Sequence, residues 1–320
     1  MLISIVYLIA GALLIMWGAD KLTDGASSLA KRMDISNMVI GLTVVAMGSS
    51  LPEFSVSLFS SLKGSAGMSA GNIVGSNLFN TLVIVGVVAM IRPLKVNAST
   101  VWKDILFTLA ASLALLFLLK DVFFIGSTQD VLSRSDGLVL LLFFGIFMGY
   151  TFSMARHGIH SDEEKGGDVP EMLPWSKTFF FILLGFGCLI GGGELFVDGA
   201  AELARLLGVS ETVIGLTILA AGTSLPELAA SVMAARKGSA DMAIGNVVGS
   251  CLFNIFFILG VCSTVSPMVV DDVSMGQLLV LAGSGLMFFL FSFTRYTIER
   301  WEGVIMTLTY IGFLAFTVLS

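Results

Sequence analysis

Residues 39–54 read VIGLTVVAMGSSLPEF, and residues 213–228 read VIGLTILAAGTSLPEL. The stretches lie 174 residues apart and agree at 11 of 16 positions. The same offset aligns GNIVGSNLFN at 71–80 with GNVVGSCLFN at 245–254, agreeing at 8 of 10. It also matches Asp24-Gly25-Ala26 with Asp198-Gly199-Ala200, Lys63-Gly64-Ser65 with Lys237-Gly238-Ser239, and Pro93 with Pro267. One ungapped register of this length is an internal duplication. Each copy sets a Pro-Glu pair into apolar sequence, so a carboxylate has been placed in hydrophobic surroundings twice.

The rest of the chain supplies the solvent. Its 320 residues are 56% hydrophobic and only 12% charged, with a mean hydropathy of +0.95. Ordinary soluble domains carry about 25% charged residues. This chain has too little charge to coat a water-facing surface, so it reads as an all-α polytopic membrane protein. A spanning helix needs about 20 apolar residues. Ten stretches qualify, near 2–19, 36–62, 68–91, 104–121, 136–154, 177–196, 210–235, 242–265, 274–294 and 303–319. They divide into a five-helix repeat over 1–155, a short linker at 156–176 and a second repeat over 177–320. Five is odd, so the second copy is inverted across the membrane, as in many secondary transporters.

Of the 17 Lys and Arg residues, 13 fall on the side reached after the first span. Positive charge marks the cytoplasm. This places both termini outside, the loop 156–176 inside, and the protein in the plasma (cell inner) membrane. The first apolar stretch lacks a basic leader and a small-residue cleavage site, so it reads as a spanning helix rather than a cleaved signal. A net charge of −6 argues against nucleic-acid partners. Cys188, Cys251 and Cys262 lie in apolar stretches and form no disulfide framework. His157 and His160 stand among acidic residues and read as solvated loop.

Glu53 and Glu227 fall inside the second and seventh spans. A carboxylate at that depth costs several kcal/mol or more, on the order of 3 even on the mildest scale. Two such costs at equivalent positions indicate function. Each Glu follows a proline, which has no N–H and clashes with the carbonyl four residues earlier. The helix is therefore broken there, and irregular backbone at membrane depth lines a cavity or is buried in protein. Carbonyls of Ala46, Met47, Ala220 and Ala221 become candidate ligands, with the hydroxyls of Ser49, Ser50, Thr223 and Ser224. On the third and eighth spans, Ser76 and Asn80 share a helical face, as do Ser250 and Asn254. Asn72 and Asn246, a turn earlier, read as hydrogen-bonding the broken backbone. The donors are all oxygen, which suits hard cations such as Ca²⁺, Na⁺ and Mg²⁺. Zinc or copper would call for Cys or His. Ser50 or Ser224 as a hydrolytic nucleophile would need a general base. The only histidines lie in the linker, so the chain does not read as an enzyme.

The paired GSSLPE/GTSLPE and GN-x-x-GS-x-x-x-N motifs resemble the α-repeats of the cation/calcium exchanger superfamily, in its sodium/calcium exchanger branch. The resemblance covers essentially the whole chain. It implies a Ca²⁺/Na⁺ antiporter working by alternating access in the lipid bilayer, expected to act as a monomer without a cofactor. Glu53 and Glu227 would be the shared cation ligands. The carbonyls of Ala46, Ser49, Ala220 and Thr223 would join them, with the side chains of Ser49, Ser50, Ser76, Thr223, Ser224 and Ser250. Asn80 and Asn254 would sit between the two carboxylates. The first and sixth spans would slide as a gating pair, and Gly18, Gly25, Gly192 and Gly199 fit such a surface. Many relatives carry Asp where this chain has Asn254, so only two carboxylates are present and no K⁺ requirement is expected. The neutral Asn80 and Asn254 argue against the proton/calcium branch. The same fold could still use H⁺ as counter-ion, or carry Mg²⁺ or Mn²⁺.

Overall fold

In an apolar surround every backbone N–H and C=O must be paired within the protein, and a helix does this inside one segment. The long runs of Leu, Ile, Val, Phe and Ala accordingly fold as helices. The computed structural model describes residues 2–63, 66–156, 172–208, 220–271 and 273–319. Its long helices are α1 (Leu2–Met33), α2 (Asn37–Ser49), α3 (Leu51–Leu62), α4 (Gly67–Ile91), α5 (Thr100–Leu118), α6 (Arg134–Arg156) and α7 (Trp175–Leu206). They continue as α8 (Leu225–Arg236), α9 (Ala240–Val265), α10 (Met275–Phe293) and α11 (Arg300–Leu319).

Among the described residues, seven helices are long and apolar enough to cross a membrane, and the bent pair α2/α3 makes an eighth. The chain is a multi-pass helical membrane protein. The linker histidines and the start of the seventh predicted span, 209–219, lie outside the described residues. Helices α4 and α9, which carry the GN-x-x-GS motifs, are the most enclosed, whereas α1, α6 and α7 turn most of their surface outward.

Helices α1 and α7 hold equivalent positions in the duplication and run antiparallel along each other. Gly11 lies against Gly192, Gly18 against Gly185, and Ser4 against Gly199. The approach is close enough that a methyl group at Gly18 would stand 2.7 Å from Cys188 Cβ, and one at Gly192 would stand 2.8 Å from Leu14 Cβ. At the foot of α8, Lys237 Nζ reaches back to α1 and pairs with Asp20 and Asp24, each at 2.6 Å.

Among the described residues, two short strand pairs clip the copies together. Leu94–Lys95 pairs antiparallel with Thr297–Ile298, and Val131–Leu132 with Met268–Val269. Leu94–Lys95 and Met268–Val269 are equivalent at the 174 offset. Each half therefore closes its third span onto the last span of the other.

The helix break falls where the prolines predict. The α2/α3 pair bends by 48° at Ser50, and Pro52 occupies the first turn of α3, where its missing N–H costs nothing. Pro226 takes the same place in α8. Among the described residues, four segments widen into π-helical turns: Gly41–Val45, Phe79–Ile84, Thr100–Ile105 and Phe253–Ile258. The turns Phe79–Ile84 and Phe253–Ile258 are equivalent in the duplication and carry Asn80 and Asn254. Such turns are frequent at functional sites.

Candidate functional site

The site grows from the first turns of α3 and α8. Glu53 and Glu227 sit there, next to the positive ends of their helices. Their side chains are 0% and 1% exposed. Among the described residues neither carboxylate has an ion-pair partner. Each is held instead by a hydroxyl from the opposite copy. Ser50 Oγ donates to Glu227 Oε1 at 2.7 Å, and Ser224 Oγ donates to Glu53 Oε1 at 2.9 Å. Ser50 and Ser224 are equivalent in the duplication, so the two bonds form one reciprocal cross. Bonds from a hydroxyl to an ionised carboxylate are among the stronger hydrogen bonds.

A second layer braces this cross. Asn246 Nδ2 donates to the Glu227 carbonyl (3.2 Å) and to Ser231 Oγ (2.9 Å). Its Oδ1 accepts the Ser49 hydroxyl at 3.3 Å. Asn246 thus bonds the broken backbone as the sequence reading expects. Its counterpart Asn72 instead donates to Ser57 Oγ (3.1 Å), the equivalent of Ser231. The Ala46 carbonyl accepts the Ser50 N–H at 3.1 Å within its own helix and lies 3.3 Å from the Ser49 hydroxyl, whose single proton it shares with Asn246 Oδ1. In the second copy the Ser224 N–H bonds the Ala221 carbonyl (3.2 Å), and Ala220 opens the helical turn Ala220–Gly222.

Buried polar atoms in folded proteins are nearly always hydrogen-bonded. Here Glu53 Oε2, Glu227 Oε2, Thr223 Oγ1, Ser76 Oγ, Ser250 Oγ, Asn80 Oδ1 and Asn254 Oδ1 are all buried without a hydrogen-bond partner. These seven belong to residues that the sequence singles out as candidate ligands; elsewhere among the described residues Ser69, Asp104, Ser239 and Ser292 also carry such oxygens. The seven are oxygens, and two carry negative charge when ionised. Helix packing brings their elements together. The turn Phe253–Ile258 lies against α3, and the turn Phe79–Ile84 lies against α8, so each Asn turn faces the Glu helix of the other copy. This donor set has the chemistry of a hard-cation cradle.

Asn77 carries no signal in the sequence reading. Asn77, just before the first Asn turn, is 1% exposed and bonds both the Cys251 carbonyl and Asn254. Cys251 is buried as expected, with its Sγ 3.8 Å from Thr81 Oγ1. Asn77 and Cys251 occupy equivalent positions, one of the few where the copies differ within this motif.

Membrane-crossing helices, broken around a buried and oxygen-lined carboxylate pair, define a secondary transporter. The family model "Sodium/calcium exchanger protein" matches residues 3–153 and 177–319. The chain belongs to that family of cation exchangers, which are transporters rather than enzymes. It is 36% identical to the putative antiporter CaxA of Alkalimonas amylolytica, over 98% of each chain. It is 33% identical to the sodium/calcium exchanger MaX1 of Methanosarcina acetivorans, over 98% of this chain and 97% of that one. Among solved structures, the sodium-calcium exchanger NCX_Mj soaked with zero Na⁺ and Ca²⁺ superposes with a TM-score of 0.82 at 32% identity, over 98% of each chain.

Proposed function

We propose that this chain exchanges Ca²⁺ against Na⁺ across the plasma membrane by alternating access at the cluster around Glu53 and Glu227. The reciprocal cross of Ser50 with Glu227 and Ser224 with Glu53 carries this reading. It joins two buried carboxylates from the two copies in one cluster. Ca²⁺ takes six to eight oxygens, and this cluster offers at least that many. In this reading the ligands are Glu53 and Glu227, the hydroxyls of Ser49, Ser50, Ser76, Thr223, Ser224 and Ser250, and the amide oxygens of Asn80 and Asn254. The carbonyls of Ala46 and Ala220 complete the set, with Ala46 releasing the Ser49 hydroxyl as the cation enters.

One Ca²⁺ or two Na⁺ balances the two carboxylates. Without either, like charges repel in a low-dielectric interior, and the empty carrier stays on one side. Transport is then obligate exchange. Residues 1–155 and 177–320 act as inverted five-span halves joined by a cytoplasmic linker at 156–176, with both termini outside and the monomer as the working unit. The antiparallel course of the equivalent helices α1 and α7 supports the inversion. Their glycine-lined contact supports sliding of this pair as the gating motion. The sodium and calcium named for the relative MaX1 and for the solved exchanger NCX_Mj support the choice of ions.

The test is uptake of radiolabelled Ca²⁺ into proteoliposomes loaded with Na⁺, K⁺ or choline, for wild type and Glu227→Gln. Uptake that needs internal Na⁺ and disappears in the variant is the expected result. Uptake driven by a pH gradient alone would make protons the counter-ion. Uptake of Mg²⁺ or Mn²⁺ in place of Ca²⁺ would change the cargo.

A further inference from the structure

The two Asn residues of the site are equivalent in sequence but differ in how their amides are held. Asn77 Nδ2 donates to the Cys251 carbonyl at 3.3 Å. A carbonyl can only accept, so the Asn77 amide has one orientation and its Oδ1 is left to accept. Asn254 meets that oxygen at 3.0 Å and must present its Nδ2. The Asn254 oxygen is thereby turned away from Asn77, and it is buried with no partner. In the other copy the place of Asn77 is taken by Cys251, which offers a thiol instead of an amide. Asn80 is 0% exposed, and the neighbour that faces its amide is the Cys251 thiol, a weak hydrogen-bonding group beside the amide that holds Asn254.

We infer that Asn77 is a positioning residue that locks Asn254 as an oxygen donor, whereas Asn80 has only the weaker Cys251 thiol to hold it. This rests on the reading of the cluster as a cation site, and it explains how a neutral side chain serves there. A carboxylate presents oxygen whichever way it rotates. An amide presents oxygen only when its nitrogen is engaged elsewhere. Without Asn77, the Asn254 nitrogen is free to turn to the unpartnered Glu53 or Glu227 oxygen and compete with the cation.

The test is Ca²⁺-dependent thermal stabilisation of the purified full chain in detergent, which gives the half-saturating Ca²⁺, with Na⁺ titrated in parallel. Asn77→Leu removes both bonds at similar volume. It is expected to raise half-saturating Ca²⁺ about tenfold, the loss of one hydrogen bond of ordinary strength. In an Asn254→Asp background the same substitution is expected to shift it less than about twofold, because a carboxylate needs no orienting partner. An equal loss in both backgrounds would mean Asn77 merely supports the fold, and would overturn the inference. Should Asn77→Leu fail to fold, Cys251→Asn gives the independent arm. It supplies the missing amide beside Asn80 and is expected to lower half-saturating Ca²⁺ about threefold, as removing a non-competent orientation should. No gain there would overturn the inference. Glu227→Gln separates the two levels. If it leaves Ca²⁺ stabilisation intact, the cation-site reading itself falls. If it abolishes stabilisation while the Asn77 arms show nothing, only the positioning role falls.

Discussion

Replacing Ser50 by Ala removes the hydroxyl that holds Glu227 from the other copy. The bond is short, at 2.7 Å, and both residues are at most 1% exposed. Water cannot substitute for the lost donor without opening the cluster. A hydrogen bond to a charged group is worth about 1.5–3 kcal/mol. At about 1.4 kcal/mol per tenfold change, Ser50→Ala is expected to weaken Ca²⁺ binding by roughly 10- to 100-fold. Part of the loss is the hydroxyl oxygen as a ligand, and part is the freed rotation of Glu227. Ser224→Ala removes the mirror bond to Glu53, 2.9 Å long, and is expected to fall in the same range. Ser50→Thr keeps a hydroxyl at the same Cβ and is expected to stay within about threefold of wild type, since the bond survives. The assay is half-saturating Ca²⁺ from thermal stabilisation in detergent, where sidedness plays no part. A shift below about twofold in Ser50→Ala, well under the value of one charged bond, would refute the argument that the cross holds the carboxylates.

Three further outcomes follow from other parts of the molecule. Gly18→Ala would place a methyl group 2.7 Å from Cys188 Cβ and 3.0 Å from the Gly185 carbonyl. The expected cost of this overpacking is about 1–3 kcal/mol, read as a lower thermal midpoint. Gly187→Ala, on the same helix pair but with nothing within 4 Å of the added carbon, is expected to leave that midpoint unchanged or higher. Asn246→Ala removes the side-chain donor to the Glu227 carbonyl, leaves the buried Ser231 hydroxyl without that partner, and leaves the Ser49 hydroxyl only the Ala46 carbonyl. It is expected to weaken Ca²⁺ binding about tenfold through an unsatisfied buried group, and a Ca²⁺ titration with unchanged half-saturation would contradict that. Outside the spans, burial raises the Asp130 carboxyl, but the Lys120 ammonium at 2.6 Å and the Val122 N–H outweigh it and hold the group below the ordinary carboxylate range. A lowered carboxylate contributes stability above its unfolded value of roughly 3.9 and loses it as pH falls through the folded value. Asp130→Asn is therefore expected to cost about 3 kcal/mol at pH 7, as for a broken buried pair, with the gap closing under acid. A gap that did not narrow at all between pH 7 and about pH 2, well below the unfolded carboxylate value, would refute the ion-pair account.

The duplicated motif made the fold class legible, because a Pro-Glu interruption of apolar sequence, repeated in one register, marks a broken membrane helix in each copy. The break at Ser50 was also legible, since the chemistry of Pro52 acts on its own helix. The reciprocal cross was not. Ser50 lies three residues before Glu53 on the same chain, so spacing alone gives no reason for it to serve Glu227. That choice is made by how α2/α3 meets α8, a tertiary fact. The π-helical turns at Asn80 and Asn254 carry no composition signal either, because the same residues suit an ordinary helix. Asn77 gives no signal in the duplication because its counterpart is Cys251, and that same difference is why it matters. The Ala46 carbonyl, expected to be freed by the break, is taken up by Ser50 and Ser49 of its own segment.

The crossing of the two Ser–Glu bonds also has a consequence for biosynthesis. Glu53 is translated 171 residues before Ser224, and Ser50 is translated 177 residues before Glu227. At about 5–20 residues per second, the first copy waits roughly 10–35 s for the groups that complete it. Its strand Leu94–Lys95 waits longer still, for Thr297–Ile298 near the end of the chain. The first half therefore enters the membrane as an unfinished object. Its buried carboxylate and sheet edge lack these partners until the second half has been made.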